Sequence, residues 1–268
     1  MSVTPSEGII ARIKQKNLAD LIARGKRLDG RGLTDYREIK IEPGVIDKAE
    51  GSALVHIGNT MVMAGIKVEP GEPFPDTPNE GILTVNTELV PLASPTFEPG
   101  PPDENAIELA RVVDRGLRES KAIDLPKLCL TPCKTVLVVF VDIYILNHDG
   151  NLVDASSIAA LAALLNTKMP KYEVDDDEIR LKPGRIKLPI QNFPIAVTQG
   201  KINQNLLVDP NLTEEQVMDA KLTITIDKEG CVCAMQKSGL GAFSLDMVEA
   251  AFKTAREKAE GLRKLLEK

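Results

Sequence analysis

Hydrophobic positions along the chain follow two different spacings, and each spacing predicts its own kind of element. Apolar residues recur every three or four positions over about 5–23, which predicts an amphipathic helix. Apolar and polar residues then alternate on both sides of Gly58 and Asn59 within residues 53–69, which predicts a β-hairpin. Residues 135–146 are apolar at nearly every position, which is typical of a central strand buried on both faces.

Further strands and helices are expected where the same spacings return. The strands are expected at 81–93, in a hairpin at 194–209, and in a second hairpin that joins 221–227 to 231–238. The helices are expected at about 104–120, 154–167 and 244–266. Asp103 and Asp154 stand where a side chain would cap the first two of these helices. The last helix is expected to bury one stripe, which consists of Leu245, Val248, Phe252, Ala255, Ala259, Leu262 and Leu266.

The order of these elements predicts an α+β protein with two related lobes, whose helices pack on mixed or antiparallel sheets. Strand and helix do not alternate strictly and no Gly-rich nucleotide loop is present, which disfavours a doubly wound fold. We expect an N-terminal helix and arm over 1–25, a first lobe over 26–185, and a second lobe with the C-terminal helix over 186–268. The acidic stretch at 172–180 is interpreted as a solvated connector.

Composition narrows the classes of function. The net charge of −6 argues against a chain that attracts nucleic acid over its whole surface, although a local basic patch remains compatible with it. Aromatic residues make up 3% of the chain, so stacking on bases can be only a small part of any RNA binding. The longest apolar run, 158–165, is too short to span a membrane, and the N-terminus lacks a signal-peptide pattern. Four cysteines without disulfide-like density fit a reducing, cytoplasmic compartment.

Three arginines, Arg111, Arg115 and Arg118, recur at i, i+4 and i+7 of the helix expected at 104–120. This spacing predicts three guanidinium groups on one face, and such a row suits contacts to a nucleic-acid backbone. The alternative is pairing within the helix, because Glu108 precedes Arg111 by three positions and Asp114 precedes Arg118 by four.

Acidic residues cluster around the stretch "NHDGNLVDASSIAALAALL" (147–165), where a strand, a Gly turn and a helix follow one another. Free N–H groups at a helix N-terminus suit a phosphate, yet this turn holds Asp149 and no Lys or Arg. A second reading is a metal site, as in a two-metal nuclease, formed by Asp142, His148, Asp149 and Asp154. A third reading is structural, with Asp149 serving the turn and Asp154 capping the helix.

Zinc and triad chemistry have little support in the residue spacing. The cysteines at 129 and 133 form C-x3-C and those at 231 and 233 form C-x-C, neither of which is the usual zinc-ribbon spacing. Only His56 and His148 could serve a Ser–His–Asp or Cys–His arrangement, and neither has a recognisable nucleophile motif near it.

Long motifs resemble the RNase PH-like subunits of the archaeal exosome. The resemblance covers about residues 20–260 and is carried by "GKRLDGRGLTDYREI" (25–39), "EGSALVHIGNTMVMAGIKVE" (50–69), "NEGILTVNTELVPLASPTFEPGPPDENAIELARVVDRGLRES" (79–120), "VDIYILNHDGNLVDASSIAALAAL" (141–164) and "LLVDP" (206–210). It implies an RNase PH-like fold, with two βαβα-type lobes. It also implies a hexameric ring in which two related subunits alternate. One of them uses inorganic phosphate to shorten RNA from its 3′ end.

The phosphate loop of that family is altered here. In active members the stretch resembles Ala-Asp-Gly-Gly-Ser/Thr-Arg, whose hydroxyl, guanidinium and backbone N–H groups hold the attacking phosphate. The matching residues are His148-Asp149-Gly150-Asn151-Leu152-Val153. Leu152 and Val153 have no side-chain donor, and Asp149 and Asp154 would repel phosphate.

The acid site of the family is altered as well. Active members carry an acidic pair and then an Asp, which is the expected general acid. Glu215 matches one acid, whereas Lys221 stands at the later Asp. A Lys with its usual pKa of about 10.4 is a poor acid at neutral pH. A small shift of the alignment would make Asp219 the nearest carboxylate.

Both losses imply the non-catalytic ring subunit. The implied partners are the catalytic RNase PH-like subunit, in a trimer of heterodimers, RNA-binding cap subunits and single-stranded RNA, with no membrane and no cofactor of its own. The family's helix after the Pro-rich loop faces the channel, so RNA contact is implied for Arg111 and Arg115, and less firmly for Arg118. Two alternatives stay open, which are an active phosphate-dependent 3′–5′ exoribonuclease and a metal-dependent hydrolase.

Overall fold

The structure is a computed structural model that describes residues 16–175 and 178–266. Within those residues the chain is α+β, as the order of elements predicts, and its strands form three sheets. The helices are α1 (16–23), α2 (Glu104–Glu119), α3 (Leu152–Asn166), α4 (Leu212–Glu215) and α5 (Leu245–Leu266). None of the described helices is long and apolar enough to cross a membrane. Residues 5–15 of the helix expected at the N-terminus lie outside the described residues.

The first sheet has six strands, which are β1 (Ile39–Pro43), β2 (Gly51–Ile57), β3 (Thr60–Gly71), β4 (Ile82–Leu89), β5 (Cys129–Thr131) and β6 (Thr135–Asn147). The order is β1-β2-β3-β6-β4, with β5 paired to β6. The predicted hairpin at Gly58 and Asn59 is confirmed, because β2 and β3 pair antiparallel around it. The central position predicted for residues 135–146 is also confirmed, because β6 lies between β3 and β4.

Helix α3 is the centre of the core because it packs between two sheets. It contacts β2 and β3 of the first sheet and also β9 (Ile195–Ile202) of the second. Eleven of its residues are buried, and a helix that is apolar on every side is typical of such a position. Its alanines, such as Ala159 and Ala163, let the sheets approach closely. Helix α2 packs on β4 and α3, and the predicted cap is confirmed because Asp103 accepts from Ala106 N at 2.8 Å.

The second sheet consists of β9, β10 (Asn205–Val208), β11 (Ala220–Ile226) and β12 (Val232–Gly239), in the order β10-β9-β11-β12. Both predicted hairpins are confirmed. Helix α5 packs on β9 and β11 and buries Ala251, Ala255, Ala259 and Leu262. Leu245 was wrongly included in the buried stripe, since it is 75% exposed. It is the first residue of the helix, and the buried positions begin only at Ala251.

The acidic stretch 172–180 is not a connector, so this interpretation is wrong. Strands β7 (Lys168–Asp175) and β8 (Glu178–Lys187) pair antiparallel as a separate two-stranded sheet. Met169 is buried and Tyr172 packs against the main core. The run of acids in the middle of this stretch concealed the strands that flank it.

The two lobes meet at Gly150, where backbone approaches backbone. Leu212 N donates to Asp149 O at 3.1 Å across this junction. A Cβ placed on Gly150 would lie 2.5 Å from Asn211 C and from Leu212 N. Gly150 also has a φ of 85°, which side chains disfavour. The junction therefore tolerates only glycine at this position.

Gly150→Ala is expected to lower the free energy of unfolding by roughly 3–5 kcal/mol, because backbone strain and overpacking add together. Gly30→Ala is the matched control. Gly30 has a similar φ of 82° but nothing within 4 Å of an added Cβ, so the expected cost is about 1 kcal/mol. Urea unfolding followed by circular dichroism measures both. Equal costs for the two variants would contradict the close approach at the junction.

Candidate functional site

The candidate site lies at residues 147–153, where β6 ends and α3 begins. Gly150 and Asn151 both have positive φ angles, of 85° and 53°, and together they turn the strand sharply into the helix. Asn151 is the N-cap residue, although its side chain makes no capping hydrogen bond. The assignment of Asp154 as the cap is therefore wrong. Asp154 lies inside the first turn of α3 and is fully buried, so its carboxylate serves contacts to the second lobe.

Other parts of the protein already bind the backbone N–H groups of this turn. Asp149 N donates to Thr60 Oγ1 at 3.2 Å, and Gly150 N donates to His148 Nδ1 at 3.3 Å. Asn151 N donates to Glu215 Oε1 at 3.0 Å. An anion held by a turn of this kind needs such donors. The carboxylate of Glu215 therefore takes a donor that a phosphate would need.

An open cavity of about 270 Å³ faces the turn. Its lining residues are Leu89, Thr96, Phe97, Asn105, Glu108, Leu109, His148, Leu152, Val153, Glu215 and Lys221. The rings of Phe97 and His148 stack with their centroids 5.4 Å apart. Leu152, Val153, Glu215 and Lys221 thus line one cavity, although the last two come from the second lobe. The cavity wall that α3 provides is apolar.

Lys221 is the second residue of β11, and its side chain brings a cation to the cavity. Burial lowers the pKa of His148, and the charge of Lys221 lowers it further, against the opposing effect of Glu215. His148 is therefore held in its neutral form, which matches the hydrogen bond that its Nδ1 accepts. Asp219, the carboxylate offered by the shifted alignment, does not line this cavity. Its Oδ2 atom accepts from Asn203 N at 2.8 Å, in the turn that joins β9 to β10.

Asp209 holds the turn in place and joins the lobes. Its carboxylate accepts from Arg37 Nη2 at 2.7 Å, from Arg31 Nη1 at 2.9 Å and from Asn151 Nδ2 at 2.8 Å. Arg37 also donates to Asp149 O at 2.6 Å, so the same guanidinium holds the turn. Burial alone would raise the pKa of Asp209, but hydrogen bonds and the charge of Arg37 hold it below its usual value.

A second buried ion pair supports the same region. Arg27 Nε donates to Glu214 Oε1 at 2.8 Å, and both side chains are completely buried. Arg27 also donates to the carbonyl of Val208 at 2.7 Å. Removing either partner would leave an uncompensated buried charge, which is strongly destabilising.

Sequence reasoning missed the polar network as a set of functional positions. The missed residues are Arg27, Arg31, Tyr36, Arg37, Thr198, Asp209 and Glu214. The available signals were the charge-rich stretch 25–39 and the Asp within "LLVDP". Charged groups beside predicted strands need partners. Which residues become partners depends on the packing of the lobes, and the sequence pattern does not contain that information.

Asp154 is fully buried, as are Asp209 and Glu214. Its Oδ2 atom accepts from Tyr36 Oη at 2.7 Å, from Asn151 Nδ2 at 2.9 Å and from Thr198 N at 3.0 Å. Its Oδ1 atom accepts from Thr198 Oγ1 at 2.7 Å, and that hydroxyl also meets Thr223 Oγ1 at 2.8 Å. Burial raises the pKa of Asp154 to about 6, against the opposing effect of these hydrogen bonds. Burial and the charge of Asp154 also raise the pKa of Tyr36 well above its usual value.

The three arginines of α2 are all exposed, and the alternative of pairing within the helix is confirmed for Arg118. Arg118 forms an ion pair with Asp114 at 2.7 Å and donates to Leu83 O of β4 at 2.9 Å. Arg115 extends in a different direction and donates to Gln236 Oε1 of β12 at 3.4 Å. The side chain of Arg111 is exposed and has no hydrogen-bond or ion-pair partner among the described residues.

The acids considered for a metal site have other contacts. Asp142 accepts from Asn86 Nδ2 at 3.2 Å, and Asp149 accepts from Asn59 Nδ2 at 3.2 Å. Both oxygens of Asp154 are bound by protein donors. Among the residues that the structure describes, no group of three or more His, Cys, Asp or Glu side chains could hold a metal ion. The four cysteines are free thiols.

Comparison with protein families matches both lobes. Residues 35–170 match domain 1 of the 3′ exoribonuclease family, and residues 192–258 match domain 2. The exosome complex component Rrp42 of Pyrococcus abyssi is 56% identical over 260 residues, which is 96% of this chain and 95% of that protein. The protein of the same name from Methanopyrus kandleri is 52% identical over 257 residues, or 96% of each chain.

Solved structures agree with this assignment. A chain of the Archaeoglobus fulgidus exosome with RNA bound to the active site superposes with a TM-score of 0.89 and 49% identity, over 96% of this chain and 98% of that chain. A chain of an archaeal exosome core gives a TM-score of 0.87 at 43% identity, over 98% of this chain and 100% of that chain. Rice Rrp46 shares the fold, with a TM-score of 0.69 at 17% identity, over 90% of this chain and 98% of that chain. The described fold is therefore that of the RNase PH-like domains.

Asp154→Asn is expected to remove a pH dependence of stability. In the variant, the Asn carbonyl oxygen can accept the hydrogen bonds that Oδ2 accepts in the wild type. The Asn amide can donate to Thr198 Oγ1, and that hydroxyl can then donate to Thr223 Oγ1. In the wild type the folded-state pKa of about 6 lies above the usual 3.8, so the folded protein binds the extra proton between these values. Its stability should therefore fall, relative to the variant, by up to roughly 3 kcal/mol as pH rises through that window.

The measurement is the free energy of unfolding of both proteins from pH 4 to pH 7. The shifted pKa of Asp209 lies below this window and is common to both proteins, so it cancels in the difference. A difference that stays constant from pH 4 to 7 would show that Asp154 is not protonated by burial.

Proposed function

This chain belongs to the 3′ exoribonuclease family defined by the RNase PH domains, and we propose that it is the non-catalytic ring subunit of an archaeal RNA-degrading exosome. Membership follows from the two domain matches and from relatives more than 50% identical over nearly the whole chain. Those relatives are named as exosome components. The finer part of the proposal, that this chain carries no chemistry of its own, rests on its own residues.

The proposal rests on the side chains and N–H groups of the turn at 148–153, which matches the phosphate loop of active members. Leu152 and Val153 bring apolar side chains to the cavity, and neither can donate a hydrogen bond. The N–H groups of Asp149, Gly150 and Asn151 are bound by Thr60, His148 and Glu215. Phosphoryl chemistry depends on donors and cations aimed at the phosphate oxygens. This turn keeps its shape, but the N–H groups of 149–151 are already bound and the side chains at 152 and 153 offer a phosphate nothing.

The acid position supports the same conclusion. Lys221 lines the cavity, and Glu215 is engaged by Asn151 N. A lysine ammonium does not serve as an acid for a leaving oxygen at neutral pH, because its usual pKa is about 10.4. The double substitution Leu152→Ser with Val153→Arg would restore the side chains of the loop. The general acid would still be missing, because Lys221 stands at its position.

In the proposed assembly the chain alternates with a catalytic RNase PH-like subunit in a hexameric ring, a trimer of heterodimers. It shapes the partner's active site across the interface, and RNA-binding cap subunits complete the particle. It uses no cofactor of its own, and phosphate is consumed at the partner's site. We place the assembly in the cytoplasm, because the four cysteines are free thiols and a reducing compartment keeps them so.

Two arginines of α2 are proposed to hold RNA by its phosphates. Arg111 and Arg115 are exposed, and Arg111 has no protein partner among the described residues. Contacts to phosphate fix position without reading sequence. Arg118 contributes less, because Asp114 and the carbonyl of Leu83 already bind its guanidinium.

The test is degradation of single-stranded RNA in the presence of phosphate. The chain alone should release no nucleoside diphosphate, while the chain with a partner that keeps the Gly-Ser/Thr-Arg loop should release it. Nucleoside diphosphates from the chain alone would instead establish an active phosphorolytic enzyme. Release of monophosphates that needs Mg²⁺ or Mn²⁺ and ignores phosphate would establish a metal-dependent hydrolase.

The same assay also tests the proposed RNA contacts of Arg111 and Arg115. Arg111→Glu with Arg115→Glu should raise the KM for RNA at least tenfold, because a single charge-assisted phosphate contact, worth about 1.5–3 kcal/mol, already exceeds the roughly 1.4 kcal/mol that tenfold requires. The ring should stay intact by size-exclusion chromatography. Lys253→Glu with Arg256→Glu on α5 is the matched control, since both positions are exposed and the change in charge is the same. Equal KM values for the two variants would rule out a specific role for Arg111 and Arg115.

A further inference from the structure

The half of the β7–β8 hairpin that lies away from its turn is basic in an otherwise acidic chain. We call residues 168–173 and 180–187 the hairpin stem. Its cations are Lys168, Lys171, Arg180, Lys182, Arg185 and Lys187, and Glu173 is its acid. The chain as a whole has a net charge of −6. The stem is therefore a local basic region of the kind that the overall charge does not exclude.

The register of the hairpin places like charges opposite one another. Lys168 pairs with Lys187, and Lys171 pairs with Lys182. Like charges directly opposite on a sheet are destabilising. Lys182 is compensated by an ion pair with Glu173. The Lys168–Lys187 pair has no such compensation in the described part of the chain, so its repulsion persists in the folded protein.

One side of the stem presents three cations together. Lys168 and Lys187 face the same side because they are opposite each other, and Arg185 is two residues from Lys187. All three residues are exposed, and their side chains have no hydrogen-bond or ion-pair partner among the described residues. Side chains two residues apart on a strand repeat every 6.6 Å or so. This repeat is similar to the distance between successive phosphates of an extended nucleic-acid strand.

The stem is separate from the candidate site. Lys168 follows the C-terminal end of α3, whereas Leu152 and Val153 stand at the N-terminal end of the same helix. A helix of fifteen residues is about 22 Å long. Contacts at the stem therefore cannot be contacts of the cavity or of its turn.

We propose that the hairpin stem is a second RNA-binding surface, which contacts the phosphates of single-stranded RNA through Lys168, Arg185 and Lys187. The choice of RNA as the occupant rests on the proposed function, and the spacing and sign of the charges support it. Binding is directed at the backbone and independent of sequence, since contacts from Lys and Arg to phosphate carry no sequence information.

Lysines on exposed strands also discourage pairing with other chains. Charge reversal separates the two roles, because a glutamate protects an edge as a lysine does but repels phosphate. A neutral variant provides a second check. Lys168→Thr with Lys187→Thr removes the repulsion and keeps a side chain that favours strands. It should be at least as stable as the wild type and should still bind RNA more weakly.

The experiment measures fluorescence anisotropy of a labelled single-stranded RNA with the full chain, over about 50 to 200 mM salt. Lys168→Glu with Lys187→Glu should weaken binding about tenfold at the lowest salt. The slope of log K against log salt should fall by about 1.4, since each lost phosphate contact on a single strand contributes about 0.7. Lys253→Glu with Arg256→Glu serves again as the control and should change both quantities much less.

Three outcomes would overturn the proposal. Unchanged RNA binding by the stem variants, alongside weakened binding by Arg111→Glu with Arg115→Glu, would overturn the stem alone and leave the proposed function intact. Absence of RNA binding by the wild-type chain would overturn the stem as an RNA-binding surface, whereas the proposed function is tested separately by the degradation assay with the partner subunit. Polyglutamate is the probe for an acidic protein segment. If the stem variants lost binding to polyglutamate but kept binding to RNA, the stem would take such a segment instead.

Discussion

The hydrogen bonds of Asp209 are the interaction on which the rest of the site depends. This buried carboxylate binds Arg31 and Arg37 from the segment before β1 and Asn151 from the turn before α3. It sits directly after β10 of the second sheet, so one side chain ties together three separate parts of the chain. The buried charge is acceptable because its partners are themselves ordered by further contacts. Loss of any one partner would weaken the attachment of the turn to the second lobe, which Leu212 N and Glu215 also hold.

Because the turn is held by this network, its shape does not depend on phosphate. Gly150 is fixed by the backbone of residues 210–212, and the carbonyl of Asp149 is bound by Arg37 and by Leu212 N. The side chains at positions 152 and 153 can therefore differ in chemistry while the fold stays the same. This separation of architecture from chemistry explains how a ring subunit can keep the family's fold while the proposed reaction occurs on its neighbour.

The sequence predicts the elements better than it predicts the contacts among charged groups. Alternation and helical spacing located the hairpin at Gly58 and Asn59, the central strand β6 and the helices, because those patterns report burial directly. The same patterns failed at 172–180, where the acids hid two strands, and at Asp154, which is a buried partner of Tyr36 and Thr198 rather than a cap. Arg27, Arg37 and Asp209 were missed because their partners come from distant segments that only the packed lobes bring together.

The central claim is that the turn at 148–153 has lost its affinity for phosphate. Calorimetric titration of the full-length chain with inorganic phosphate tests it directly, without RNA or a partner subunit. The account predicts no saturable binding at millimolar phosphate, because the side chains of Leu152 and Val153 offer no donors and Glu215 takes the N–H of Asn151. Saturable binding that a Leu152→Glu substitution abolishes would contradict the account, since it would place phosphate in this cavity.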